Sequence, residues 1–153
     1  MSKPNDDLLW RTAIHEAAHA VIARVFGVEF RSVTIIPSES LVAVSRARWK
    51  EKRIERSAGH CLIRWRPYER GYLLSLMAGC AAELEITGTC DDDRADREGI
   101  AQALHCQELH EPSLRRQARR LVKEHRALIE RVAEALLSGD GTLSQSEVDD
   151  LVA

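Results

Sequence analysis

The residues able to do chemistry come early in the chain. Thr12-Ala13-Ile14-His15-Glu16-Ala17-Ala18-His19-Ala20 contains His-Glu-x-x-His. On a helix, residues four apart share a face, so His15 and His19 point the same way and both can reach one metal ion. Glu16 stands beside them, where a carboxylate can take a proton from a water that the ion has acidified. Two ordinary histidines on a helix produce the same five letters. The reading therefore depends on whether the surroundings form a helix and supply a third ligand.

The surroundings do predict a helix. Asn5, Asp6 or Asp7 can cap one that begins near Leu8. Leu9, Ala13, Ile14, Ala17, Val21 and Val25 recur at helical spacing, and Gly27 follows as a stop. His15 and His19 then lie mid-helix beside the apolar stripe, partly buried. A buried histidine pair without a partner is costly, and a metal ion removes that cost.

Downstream, the β-branched run from Glu29 to Pro37 reads as a strand, Ser38 to Ser40 as a turn and Leu41 to Ser45 as a second strand. Paired antiparallel, these two make a small sheet whose edge can accept an extended peptide. Arg46 to Arg70 is rich in Arg and Lys, with Trp49 and Trp65 interleaved. It reads as a solvated loop or short helix beside the cleft, in preference to a nucleic-acid surface, because no nucleic-acid motif accompanies it.

Pro67 opens a helix whose broad apolar face runs from Leu73 to Leu84. Gly79, Ala81 and Ala82 are small, as close helix packing requires. Glu83 lies among them, as a zinc ligand, a partner that orients a ligand or, preferred here, a structural hydrogen bond or salt bridge. Thr87 to Asp93 breaks the helix, and Arg94 to Leu109 resumes it with Ala95, Gly99, Ile100, Ala103 and Leu104 inward. Asp91, Asp92, Asp93 and Asp96 can cap that helix and complement its dipole, but four acids exceed the need. Pro112 or Ser113 starts a long helix reaching about Leu137, and Ser144-Gln145-Ser146-Glu147 is a capping box for a last one to Val152. Asp140 to Glu147 resembles the second half of a calcium loop. Leu136 and Ser138 occupy the places of its first carboxylates, which excludes a calcium cage.

Composition bounds the rest. The 153 residues suit a single domain over 1–153, and Ala, Leu, Arg and Glu favour helix. The formal net charge of -2 gives no overall polarity toward nucleic acid or an anionic membrane. No apolar run approaches the roughly 20 residues of a membrane span, and the N-terminus lacks signal-peptide architecture. Cys61, Cys80, Cys90 and Cys106 are scattered and read as reduced thiols. The expectation is a soluble, cytoplasmic protein with no membrane and no nucleic-acid partner.

Four separated segments together resemble the peptidase domain of FtsH-type zinc proteases. These are the helix Thr12 to Val21, the strand Ser32 to Pro37, the small-residue helix Leu73 to Glu83 with Ala78-Gly79 and Ala81-Ala82-Glu83, and the closing stretch Leu121 to Leu151. The resemblance implies a fold that is mainly α with a small β-sheet, a Zn2+ cofactor held by His15 and His19, and Glu16 as the catalytic base. The family's third ligand is an aspartate at the start of the helix after the small-residue helix. Thr87 to Asp92 matches the lead-in and points to Asp92, whereas Asp96-Arg97-Glu98-Gly99-Ile100-Ala101 better matches the helix that follows. Asp96 is the first choice, Asp92 the second and Asp93 the third.

There are departures from the family. Ala18 stands where it usually has glycine, and no Walker sequence or membrane anchor is present in these residues. The implied activity is hydrolysis of peptide bonds in flexible or unfolded protein or peptide substrates, without ATP. An oligomer or a separate ATPase partner stays open at this point. Two other readings compete: a catalytically silent peptide-binding or regulatory module on the same fold, and a nucleic-acid-associated helical protein using Arg46 to Arg70.

Overall fold

A computed structural model describes residues 4–36, 38–43, 52–57, 60–64, 66, 68–90, 94–107 and 109–153. It is mainly helical, with two small antiparallel sheets. In chain order the elements are α1 (Pro4–Val25), β1 (Phe30–Thr34), β2 (Ser38–Ala43), β3 (Lys52–Ser57), β4 (His60–Ile63), α2 (Arg70–Thr87), α3 (Arg94–Gln107), α4 (Glu111–Glu124), α5 (Arg126–Ser138), β5 (Thr142–Ser144) and α6 (Gln145–Val152).

α1 is the axis of the molecule. Every residue from Ala13 to Ala23 is buried, the two histidines and Glu16 included. A helix covered on all sides must be apolar or small nearly all round, and α1 supplies five fully buried alanines at positions 13, 17, 18, 20 and 23. Their short side chains let α2, α5, β1 and β4 all pack against it. The single apolar stripe expected from the sequence is thus replaced by complete burial, and Leu9 and Val25, assigned to that stripe, are exposed. The helix also starts one turn earlier than expected. Asn5, Asp6 and Asp7 lie inside its first turn. At the other end Gly27, at φ 67°, donates to the Arg24 carbonyl while Val28 donates to that of Ala23, the glycine-terminated stop that the sequence predicts.

The strands correct a second expectation. β1 and β2 do not pair with each other. β1 is the centre of a three-stranded sheet, β4-β1-β5, and among the described residues β2 pairs with β3 alone, from Ser38↔Ser57 to Ala43↔Lys52. The residues expected to turn, Ser38 to Ser40, are strand, and the basic segment expected as loop or short helix holds β3 and β4. β1 therefore has neighbours on both sides and offers no free edge to a peptide. Arg46, Arg48, Lys50, Trp49, Trp65 and Pro67 lie outside the described residues.

The long C-terminal helix is two helices. His125, at φ -104° and ψ 16°, interrupts it, donating to the Leu121 carbonyl and accepting from Ile129. On either side of the break the packing differs: α4 covers α2 while α5 covers α1. The capping box at the last helix is present, with Ser144 and Glu147 each bonding the other's backbone. Among the described residues no helix is long and apolar enough to cross a membrane.

Candidate metal centre

α1 and α2 run antiparallel and bring two ladders of residues face to face. On α1 these are Arg11, His15 and His19, each four residues from the next. On α2 they are Ser75, Gly79 and Glu83 at the same interval. At one end Arg11 donates to Glu83 Oε1 at 3.1 Å. In the middle, His15 Nδ1 lies 3.0 Å from Glu83 Oε2. At the other end His19 Nδ1 lies 2.7 Å from the Ser75 carbonyl oxygen. Fully buried Ile14, Leu73, Leu74 and Met77 surround this seam. Burying such a side chain is worth roughly 1.5–3 kcal/mol, so packing, and not the polar contacts, sets the helix spacing.

Both rings turn their Nε2 atoms to one place. Asp96, in the first turn of α3, puts a single oxygen there: Oδ2 lies 2.8 Å from His15 Nε2 and 3.0 Å from His19 Nε2. The ring centroids are 4.8 Å apart at an interplanar angle of 78°. Asp96 is the first choice made from the sequence, and the fold brings it to the two histidines across 81 and 77 positions of chain. Asp92 and Asp93 lie outside the described residues.

The hydrogen-bond chemistry of this cluster does not balance with neutral histidines. All four ring nitrogens face oxygens that only accept: Glu83, the Ser75 carbonyl and, twice, Asp96. Two neutral imidazoles carry one N–H each and can satisfy two of the four. With Nδ1–H given to Glu83 and Ser75, both Nε2 lone pairs point at a carboxylate oxygen. Two extra protons remove the mismatch, and so does a cation between Nε2, Nε2 and Oδ2. These three donor atoms form a group within 4.8 Å of one another. Ligands about 2.0–2.1 Å from a tetrahedral ion lie roughly 3.3 Å apart, close to the spacing seen.

Gly79 keeps that place open. A Cβ there would stand 2.5 Å from His19 Nε2 and 2.7 Å from His15 Nε2. Any side chain would occupy the space the two nitrogens share, so the residues present fit a small cation. A second grouping, His15, Glu83 and Cys90, also lies within 4.8 Å. Glu83 already faces the Arg11 guanidinium there, and His15 would have to serve two ions, so the chemistry favours the first group.

The electrostatics follow from the same contacts. Burial pulls the His15 imidazolium down, but hydrogen bonds to Asp96, Cys90 and Glu83 outweigh it and raise His15 well above its ordinary value. For His19, burial is again outweighed, chiefly by the Asp96 charge, and the result is also upward. Burial raises Asp96, yet the two histidines hold it far below the usual carboxylate range. Glu16 behaves differently. Its side chain is buried and makes no hydrogen bond among the described residues. Burial pushes its carboxyl up to about 7 against the pull of His19 and His15. That is where a group able both to take and to return a proton at neutral pH should sit. Cys61, on β4, is half-buried, and desolvation together with the Glu16 and Asp96 charges pushes its thiol well up, which lowers its reactivity.

Sequence reasoning missed three contributors: Arg11, the Ser75 carbonyl and the space above Gly79. For Glu83 it preferred a structural hydrogen bond or salt bridge, and the carboxylate makes both, with His15 and Arg11 as its partners. The i, i+4 spacing of Arg11 to His15 and of Gly79 to Glu83 was a usable signal. A main-chain acceptor such as Ser75 leaves none. Compared with models of known protein families and with curated proteins, the chain matches none.

Proposed function

We propose that this chain is a zinc-dependent endopeptidase of the FtsH type, hydrolysing flexible or unfolded protein segments and peptides without ATP. The observation that carries the reading is the convergence of His15 Nε2, His19 Nε2 and Asp96 Oδ2 beside a buried Glu16. His15, His19 and Asp96 would hold the zinc, which when bound supplies a Lewis acid to a water and to the scissile carbonyl. Glu16 accepts the proton of the attacking water and returns one to the leaving amine, the role its position and its value of about 7 suit. Glu83 and Ser75 hold the two rings with Nδ1–H inward, so that Nε2 stays free as a ligand atom.

The substrate strand belongs on β4. Of the two places the sequence offers, Val33 to Ile36 overlaps β1, which is paired on both sides, and Leu41 to Val44 overlaps β2, whereas β4 is the strand that packs on α1 beside β1. Among the described residues β4 has no partner on its far side, and it packs against α1, the helix that carries Glu16. Backbone pairing there holds a peptide extended beside Glu16 with little side-chain selectivity. A cytoplasmic setting fits the four free cysteines.

Zinc content and cleavage of an unfolded protein test the proposal in wild type, Asp96→Ala, Asp92→Ala and Glu16→Gln. We expect about one zinc per wild-type chain, lost in Asp96→Ala and kept in Asp92→Ala and Glu16→Gln, with cleavage absent from Glu16→Gln. Wild-type protein that holds no zinc overturns the metal centre. Zinc-loaded wild type that cleaves no unfolded substrate overturns the peptidase.

A further inference from the structure

The two histidines are oriented by different means. His19 Nδ1 meets the main-chain carbonyl of Ser75, fixed by helix α2 itself. His15 Nδ1 meets a side-chain carboxylate, Glu83 Oε2, on a flexible stem. A carboxylate orients a ring only if it is itself held, and the other Glu83 oxygen is held by Arg11 at 3.1 Å. The pair is secluded, with the Glu83 side chain 9% exposed and that of Arg11 22%. A buried carboxylate with one charged partner and one imidazole partner is stable as a set, and removing the cation leaves an uncompensated charge.

From this ladder we propose that Arg11 is a positioning residue for the metal centre: by anchoring Glu83 it holds His15 in the Nδ1–H tautomer that presents Nε2 as a ligand. The inference rests on the zinc reading above and names a residue outside the ligand set. Arg11 touches neither the cluster of Nε2 atoms nor Asp96 in any described contact. Its route to the centre runs through Glu83 to His15, and His19, held by the Ser75 carbonyl, is the internal control.

The asymmetry makes the test specific. Zinc affinity is measured by chelator competition in wild type, Arg11→Met, Arg11→Lys and Glu83→Ala. The His15 and His19 ring nitrogens are followed by nitrogen-15 NMR in the zinc-loaded proteins. Loss of a partner that orients a ligand weakens metal binding about 10–100-fold. We expect a weakening in that range for Glu83→Ala and Arg11→Met, with partial recovery in Arg11→Lys. The His15 Nδ1–H signal should shift or broaden while that of His19 stays in place. Unchanged affinity in Arg11→Met overturns the proposal, even if the metal-free protein is less stable. So does an equal disturbance of both histidines, which marks a general structural role. If Arg11→Met does not fold, Arg11→Gln, which keeps an N–H donor without the charge, takes its place under the same criteria. Wild-type protein without zinc sinks the metal reading itself, a different result from zinc-binding wild type whose Arg11 variants bind equally well.

Discussion

His15 and Gly79 face each other across the seam of α1 and α2 so closely that one methyl group on Gly79 would lie 2.7 Å from His15 Nε2. The same methyl would lie 2.5 Å from His19 Nε2. The site is a space that two helices leave open at one glycine, with nitrogen atoms on its wall.

Gly79→Ala tests that space directly. Alanine favours the helix by up to about 1 kcal/mol over glycine, so helix content should hold. The methyl must push both rings away from Asp96, and zinc affinity should fall by at least about 100-fold, beyond the effect of losing one orienting partner. Circular dichroism and zinc titration read the two effects separately. Retained affinity would show that the ion does not sit between the two Nε2 atoms.

Zinc affinity should weaken as pH falls, and the weakening should begin above the ordinary histidine value of 6.5. Asp96 raises both His15 and His19 in the metal-free protein, so protons compete with the ion over that range. For stability without metal, the signs run in opposite directions. The histidine contribution is complete below 6.5 and is lost as pH rises through the raised folded values. The Asp96 contribution is present above 3.8 and is lost as pH falls through its depressed folded value. Zinc affinity that is flat from pH 6.5 to 8 would contradict this account.

Glu16→Gln should stabilise the metal-free protein at pH 8 but not at pH 4. The folded value of Glu16, about 7 against 4.5, means that the wild-type fold loses stability as pH rises between the two. That difference corresponds to about 3 kcal/mol. Urea unfolding at both pH values, with zinc removed, measures it. A gain that does not change with pH would assign the effect to packing instead.

Ser144→Ala should cost about 1 kcal/mol by removing the cap of α6. Zinc affinity should stay unchanged, because β5 and α6 join the core on the β1 side. A lower unfolding midpoint with unaltered zinc content is the expected pair of results.

What the sequence alone determined follows from local spacing. His15 and His19 share a helix face because four residues make about one turn, and Glu16, three residues before His19, borders that face. Gly27 ends α1 and Ser144 with Glu147 begins α6 through bonds made within a few residues. Asp96 was legible as a candidate through the family resemblance of Asp96 to Ala101, but no local rule separates it from neighbouring acids. Only the tertiary structure decided the long-range relationships. The pairing of β1 with β4 and β5 instead of β2, the division of the last long helix at His125 and the burial of α1 on every side from Ala13 to Ala23 all depend on contacts distant in the chain. So does the meeting of Arg11 with Glu83, of His19 with the Ser75 carbonyl and of both Nε2 atoms with Asp96. Helical periodicity shows which way a side chain points along its own axis. What it points at is set by how the apolar surfaces of different elements pack.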